Sequence, residues 1–174
     1  GLSLTNHLTT ALLAPAFVLA LAFDRPRGNT REWWTAGLLF GAGLALYVFV
    51  PLRWPALNDG ARMSAGEFVS YISGGQFHGA LQLDGWLDPT RWRIVGRLLE
   101  QPFGWPGIGL AGVGIVHLAL RRRRALALTG LTFLAFFAYG LAYHVADVAV
   151  FLLPAQVILG IWMGVGALLL TGGL

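Results

Sequence analysis

Apolar residues run along this chain in long unbroken blocks, without the strict alternation of a half-buried strand or the one-face periodicity of a soluble helix. Five blocks stand out, at 2–23, 33–52, 103–120, 125–143 and 148–174, and none contains an Asp, Glu, Lys or Arg. A helix needs about 20 mainly apolar residues to cross the hydrocarbon layer of a bilayer, and each block supplies or nearly supplies that length. Backbone groups in lipid must be satisfied within their own segment, so every block is expected to be helical. Trp33, Trp34, Trp54 and Trp105 fall near block ends, where amphipathic indole rings favour the interface. The pattern predicts an all-α polytopic membrane protein: one membrane domain over 1–174 with about five transmembrane helices and a long polar connection at 53–102.

That connection is too long for a plain linker and should carry structure of its own. Ser64-Ala65-Gly66-Glu67 fits a capping box, which would launch a short helix through Phe68, Val69, Tyr71 and Ile72. Asp88-Pro89 is a second start signal, an acidic N-cap followed by proline at the first helical position. A helix from there to Gln101 places Trp92, Val95 and Leu99 on one face, flanked by Ile94 and Leu98, with Arg93, Arg97 and Glu100 on the other. Such amphipathic helices are expected to lie in the membrane surface. Gly74, Gly75 and Gly85 mark turns between them.

Composition reinforces the membrane reading. Of 174 residues, 56% are apolar and 11% charged, with 24 glycines besides; a soluble domain carries about 25% charged residues. Cysteine is absent, so no disulfide framework and no zinc-type Cys/His cluster is expected, and no metal site is assigned. Every one of the 12 basic residues is arginine, against 8 acids. They sit in the gaps between apolar blocks and form no wettable basic face, so nucleic acid is not an expected partner. Membrane lipids are.

The arginines also orient the chain. The gaps at 24–32 (Arg25, Arg27, Arg31) and 121–124 (four arginines in a row) fall on one side if all five blocks span, and the positive-inside rule makes that side cytoplasmic. The connections 53–102 and 144–147 then face outward, so 53–102 is an extracytoplasmic loop. The arginine run reads first as a topology signal, with a lipid-headgroup site as the alternative. Gly1 is not a start methionine and no basic leader precedes the first block, so the chain is expected to be an internal piece of a longer polytopic protein. Its lysine-free, Ala/Gly/Leu/Arg-rich composition suggests a bacterial source and hence an inner-membrane location, with the site facing the periplasm or exterior.

On that map the unusual polar residues collect at the outer level: Asn6 and His7 near the outer end of block one, Arg53, Asn58 and Asp59 after block two, and Tyr143, His144 and Asp147 between blocks four and five. Polar groups at membrane depth are costly and usually face a cavity or a partner. Each also has a plainer reading. His7 suits helix packing, Asp147 suits a cap of block five, Arg53 suits an interfacial anchor, and Asn58-Asp59-Gly60 suits a turn. Pro15 and Pro154 suit helix kinks, and the pairs Gly37/Gly41 and Gly160/Gly164 suit close helix packing.

Several phrases, taken in order, resemble a known family. They are Gly1-Leu-Ser-Leu-Thr-Asn6-His7; Val48-Phe-Val-Pro51-Leu52-Arg53 followed by Pro55-Ala-Leu-Asn58-Asp59-Gly60; Glu67-Phe-Val-Ser-Tyr-Ile-Ser-Gly74-Gly75-Gln76-Phe77; and Tyr143-His-Val-Ala-Asp147 with Val150-Phe151-Leu-Leu-Pro154. The ordered set is similar to integral-membrane O-mannosyltransferase-like proteins of the GT-C glycosyltransferase class, whose animal member modifies plexin-type receptor domains. The resemblance implies a partial GT-C fold, a polyprenyl-phosphate sugar as donor substrate, a protein hydroxyl as acceptor, and chemistry on the outer or luminal face. No cofactor beyond that lipid-linked donor is implied, and metal dependence is left open. The resemblance further implies that Arg53 meets the donor phosphate, that Asn6, His7, Asn58 and Asp59 shape the substrate pocket, and that Tyr143 and Asp147 close it. In GT-C enzymes the catalytic carboxylate usually lies in the first outer loop, which has no counterpart ahead of block one. Asp59 and Asp147 are the resident carboxylates and weak candidates for the base. Two other readings use the same blocks: a transporter or flippase segment, and a non-catalytic membrane scaffold module.

Overall fold

The structure, a computed structural model, describes residues 8–24 and 29–172. It is helical throughout, with no β-strand among the described residues and a single isolated antiparallel bridge between Leu81 and Tyr143. A 3₁₀ stretch Leu8–Leu13 leads into α1 (Ala14–Asp24); then come α2 (Thr30–Leu44), α3 (Phe49–Leu57), α4 (Ala65–Ile72), α5 (Pro89–Glu100), α6 (Gly104–Arg121), α7 (Arg123–Ala142) and α8 (Val148–Leu170). Three helical stretches are long and apolar enough to cross a membrane: Thr30–Leu57, Arg123–Ala142 and Val148–Leu170. Pro89–Glu100 with Gly104–Arg121 makes a fourth if that bent pair is one span, and Leu8–Phe23 is a shorter apolar helix. Among the described residues three or four candidate spans therefore stand, against about five expected from the pattern; residues 2–7 of the first apolar block lie outside the described residues.

Two compact units divide the chain. One contains α2, α3 and α4. Asn29 caps α2, its side chain accepting from the Arg31 and Glu32 amides. The 3₁₀ turn Ala45–Val48 separates α2 from α3. Pro51 has no N–H to return to the Tyr47 carbonyl, and the Phe49 N–H is shared between the Leu46 and Tyr47 carbonyls in the tighter turn. The capping box opens α4 as read from the sequence: the Glu67 amide donates to Ser64 Oγ at 3.2 Å and the Ser64 amide to Glu67 Oε2 at 2.7 Å. Those hydrogen bonds hold the Glu67 carboxyl below its ordinary pKa. Trp54 of α3 meets Tyr71 of α4 edge to face, ring centroids 6.3 Å apart.

The second unit holds Leu12–Asp24 and everything from Ala80 onward. Its core is formed by Val95 and Leu99 of α5, Ala111 and Leu118 of α6, Phe136 and Leu141 of α7, and Leu152, Ala155, Ile158, Leu159 and Trp162 of α8. The helices α6 and α8 touch backbone to backbone. A Cβ on Gly114 would lie 1.9 Å from the Trp162 carbonyl oxygen, and one on Gly166 2.0 Å from that of Leu110. Small residues allow this approach, which is how helices associate where lipid removes the hydrophobic drive. The glycine pairs singled out from the sequence play no such part here. Gly37, Gly41 and Gly164 have nothing within 4 Å of a would-be Cβ, and Gly160 makes only ordinary contact with Phe103. Sequence spacing shows which glycines share a face but not which face meets a neighbour.

Polar side chains inside the second unit are paired. The Trp162 indole donates to Thr129 Oγ1 at 2.9 Å, and that hydroxyl donates to the Ala125 carbonyl at 2.8 Å. The helices α5 and α6 meet at 87°. Pro102 supplies no amide at the corner, the Phe103 N–H closes on Glu100 at 3.0 Å, and Gly104 takes φ +62°, a backbone region that favours glycine. Gln156 of α8 donates to the Leu98 carbonyl at 2.9 Å, satisfying part of the exposed end of α5.

Candidate functional site

Asp88 starts α5, its carboxylate accepting from the Thr90 amide at 2.8 Å. The buried stripe of the helix is Arg91, Val95 and Leu99. Val95 and Leu99 lie on the expected face, but Trp92 and Ile94 are roughly half exposed and Arg91 takes the inward position expected of Trp92. An arginine on a buried stripe was not expected. Arg91 is 7% exposed, and its guanidinium reaches the last turn of α7. Its Nη2 donates to the Gly140 carbonyl at 2.8 Å and to the Tyr143 carbonyl, and its Nε to Leu141 at 3.3 Å.

The last four carbonyls of a helix have no partner within it. Here each finds one: Tyr139 from the Tyr143 amide, Gly140 and Leu141 from Arg91, and Ala142 from the Gln82 amide at 2.8 Å. One turn earlier, the Trp86 indole donates to Ala138 at 3.2 Å. The His144 amide returns to Ala80 at 2.7 Å, so segment 80–91 wraps the end of α7 as a collar. Gly85 is buried in that collar. A Cβ there would meet the Leu141 carbonyl oxygen at 2.4 Å and His144 Cε1 at 2.5 Å. The guanidinium also complements the negative end of the α7 dipole. Arg91 therefore holds this end of the bundle together. The sequence signal that could have found it is its spacing of four and eight from Val95 and Leu99.

The residues proposed from the sequence fall as follows. Asn6 and His7 lie outside the described residues. Arg53, Asn58 and Asp59 sit together at the end of α3. The Arg53 guanidinium is exposed and lies 6.0 Å from the Phe49 ring centroid, one turn back. Asn58 Nδ2 donates to the Trp54 carbonyl at 2.9 Å. Asp59 (φ +48°) and Gly60 (φ +82°) bring the chain out of the helix, with the Gly60 amide on Pro55 at 2.9 Å. This is the turn that Asn58-Asp59-Gly60 suggested. The Asp59 carboxylate is left exposed.

Tyr143 and Asp147 belong to the other unit, at the junction of α7 and α8. The Tyr143 ring is buried, stacked on Tyr139 at 4.8 Å and edge-on to Phe151 at 5.0 Å. Asp147 occupies the N-cap position of α8 without a side-chain cap hydrogen bond, and it is exposed. His144 is half-buried, its Nδ1 3.2 Å from the Ala142 carbonyl. Among the described residues no group of three His, Asp or Glu gathers as metal ligands do. What the described residues offer chemically is an exposed guanidinium on α3 that leans back over Phe49, an exposed carboxylate in the turn that ends α3, and a further exposed carboxylate at the head of α8.

The chain matches no protein-family model, no curated protein and no solved structure.

Proposed function

We propose that this chain is part of a membrane glycosyltransferase that moves a sugar, mannose by resemblance, from a polyprenyl-phosphate donor to a protein hydroxyl on the extracytoplasmic face of a bacterial inner membrane. The observation that carries the reading is the exposed Arg53 guanidinium near the end of a long apolar helix, within a set of phrases that resembles such enzymes. In that chemistry a carboxylate takes the acceptor proton. The freed oxygen attacks the anomeric carbon, the bond from that carbon to the phosphate oxygen breaks, and the polyprenyl phosphate leaves with the electron pair. A planar guanidinium suits the charge that grows on the leaving phosphate. Arg53 takes that role and Asn58 and Asp59, in the same unit, serve the substrate; Asp59 and, in the other unit, Asp147 are the resident carboxylates.

The Arg53→Ala protein is expected to fold as the parent does, because the side chain is exposed, while transfer from polyprenyl-phosphate mannose falls about a hundredfold. Transfer at the parent rate by Arg53→Ala would remove Arg53 from the site. Absence of transfer by the parent, with no binding of the donor, would remove the reading itself.

Orientation has its own measurement. Gly85 is a poor labelling position because the collar has no room for a side chain. Asp84 and Arg122 are both exposed, near opposite ends of α7. Single cysteines at these two positions are expected to react with an impermeant thiol reagent from opposite faces, Asp84→Cys from outside. Labelling of both from the same face would overturn the orientation.

A further inference from the structure

The four arginines at 121–124 are used by none of the chemistry above. They sit where α6 ends and α7 begins, joined by the single non-helical residue Arg122, and all four are exposed. Arg123 Nε donates to the Ala119 carbonyl at 3.1 Å, and the Arg124 guanidinium stands 5.6 Å from the Phe23 ring centroid. The Phe23 contact brings the end of α1 to the same place. Two of the cations occupy the first turn of α7, which contains no acidic residue. The helix dipole is already positive there, so the folded protein holds concentrated and mutually repelling charge.

An apolar track leads to this cluster. Val113, Val116 and Leu120 follow at intervals of three and four along α6, and all are exposed, Leu120 at 70%. Apolar surface ending in a basic cluster, at the start of α7, a helix long and apolar enough to span, matches an amphiphile with an anionic head. Arginine's planar fork grips phosphate oxygens in pairs. A free phosphate would use the arginines but not the track.

We propose that residues 121–124 bind the phosphate of an anionic phospholipid, with an acyl chain lying along Val113, Val116 and Leu120. The site is independent of sugar transfer and stands or falls separately from it.

The test uses the whole purified protein in nanodiscs or detergent, with phosphatidylglycerol and phosphatidylcholine of identical acyl chains as probes and native mass spectrometry as the readout. The parent is expected to retain phosphatidylglycerol at least about tenfold better than phosphatidylcholine, since each arginine near a charged headgroup is worth about 1 kcal/mol. The pair Arg123→Gln/Arg124→Gln is expected to bring the two lipids close to parity. The single change Arg124→Gln should cost about fivefold and serves if the pair does not fold. Arg93→Gln/Arg97→Gln, on α5, is expected to leave the preference intact. Millimolar inorganic phosphate should not displace the lipid. No preference in the parent, an unchanged preference in folded Arg124→Gln, an equal loss in the α5 pair, or displacement by inorganic phosphate would each overturn the proposal.

Discussion

Gly114→Ala is expected to lower the stability of this protein by about 2–3 kcal/mol, out of proportion to one added methyl group. The would-be Cβ lies 1.9 Å from the Trp162 carbonyl oxygen and 2.8 Å from the carbonyl carbon. Both are backbone atoms of α8, so no side-chain rotation makes room and the helices must part. Gly166→Ala meets the Leu110 carbonyl in the same way and should behave alike. Gly112→Ala and Gly164→Ala are the internal controls. Neither Cβ has anything within 4 Å, and removing a glycine from a helix favours the helix, so both should match or slightly exceed the parent. Scanning fluorimetry of the purified protein in detergent reads the difference. A Gly114→Ala protein that unfolds with the parent would mean that α6 and α8 do not cross at this point.

The second large effect is expected at Arg91. Replacing it with leucine keeps the volume broadly similar but strips the donors from the Gly140, Leu141 and Tyr143 carbonyls. Each buried acceptor left without a partner costs about 1–3 kcal/mol, and partial entry of water should reduce the sum to about 3 kcal/mol. Arg91→Lys offers a single ammonium in place of the fork and should fall between. Arg93→Leu, two residues on and exposed, should be close to neutral. Hydrogen exchange adds a local readout. Amides at 80–82 and 142–144, which close the collar, should exchange faster in Arg91→Leu than those in the middle of α7. Equal protection in the two proteins would refute the collar.

Both effects arise at contacts that the hydropathy pattern does not encode. The apolar blocks were plain because length and the absence of charge are one-dimensional properties, and the capping box and the Asp88-Pro89 start are local chemistry within four residues. On α5 the apolar pattern places Val95 and Leu99 inward, as they are, but puts Trp92 where Arg91 lies, since Trp92 weighs more than its neighbours in any apolar count whereas arginine counts as solvent-facing. The buried stripe runs through Arg91 because three carbonyls wait there to receive it. The glycines divide in the same way. All 24 look alike in the sequence, yet Gly114 and Gly166 are pressed against a neighbouring helix backbone while Gly37, Gly41, Gly112 and Gly164 have open space.

The candidate site was legible in part. That Asn58-Asp59-Gly60 would turn was local knowledge, and the positive φ of Asp59 and Gly60 agrees with it. That the Tyr143 ring is buried while Asp147 remains outside was not, because aromatic packing against Tyr139 and Phe151 is a property of two helices.

The helical class, the long apolar stretches and the starts of two short helices follow from local chemistry, for a hydrogen bond or a run of hydrocarbon is settled within a few neighbouring residues. Which glycines let α6 and α8 touch, and that Arg91 alone among the described arginines is sealed inside, follow from packing, because those choices depend on the surface a distant segment presents.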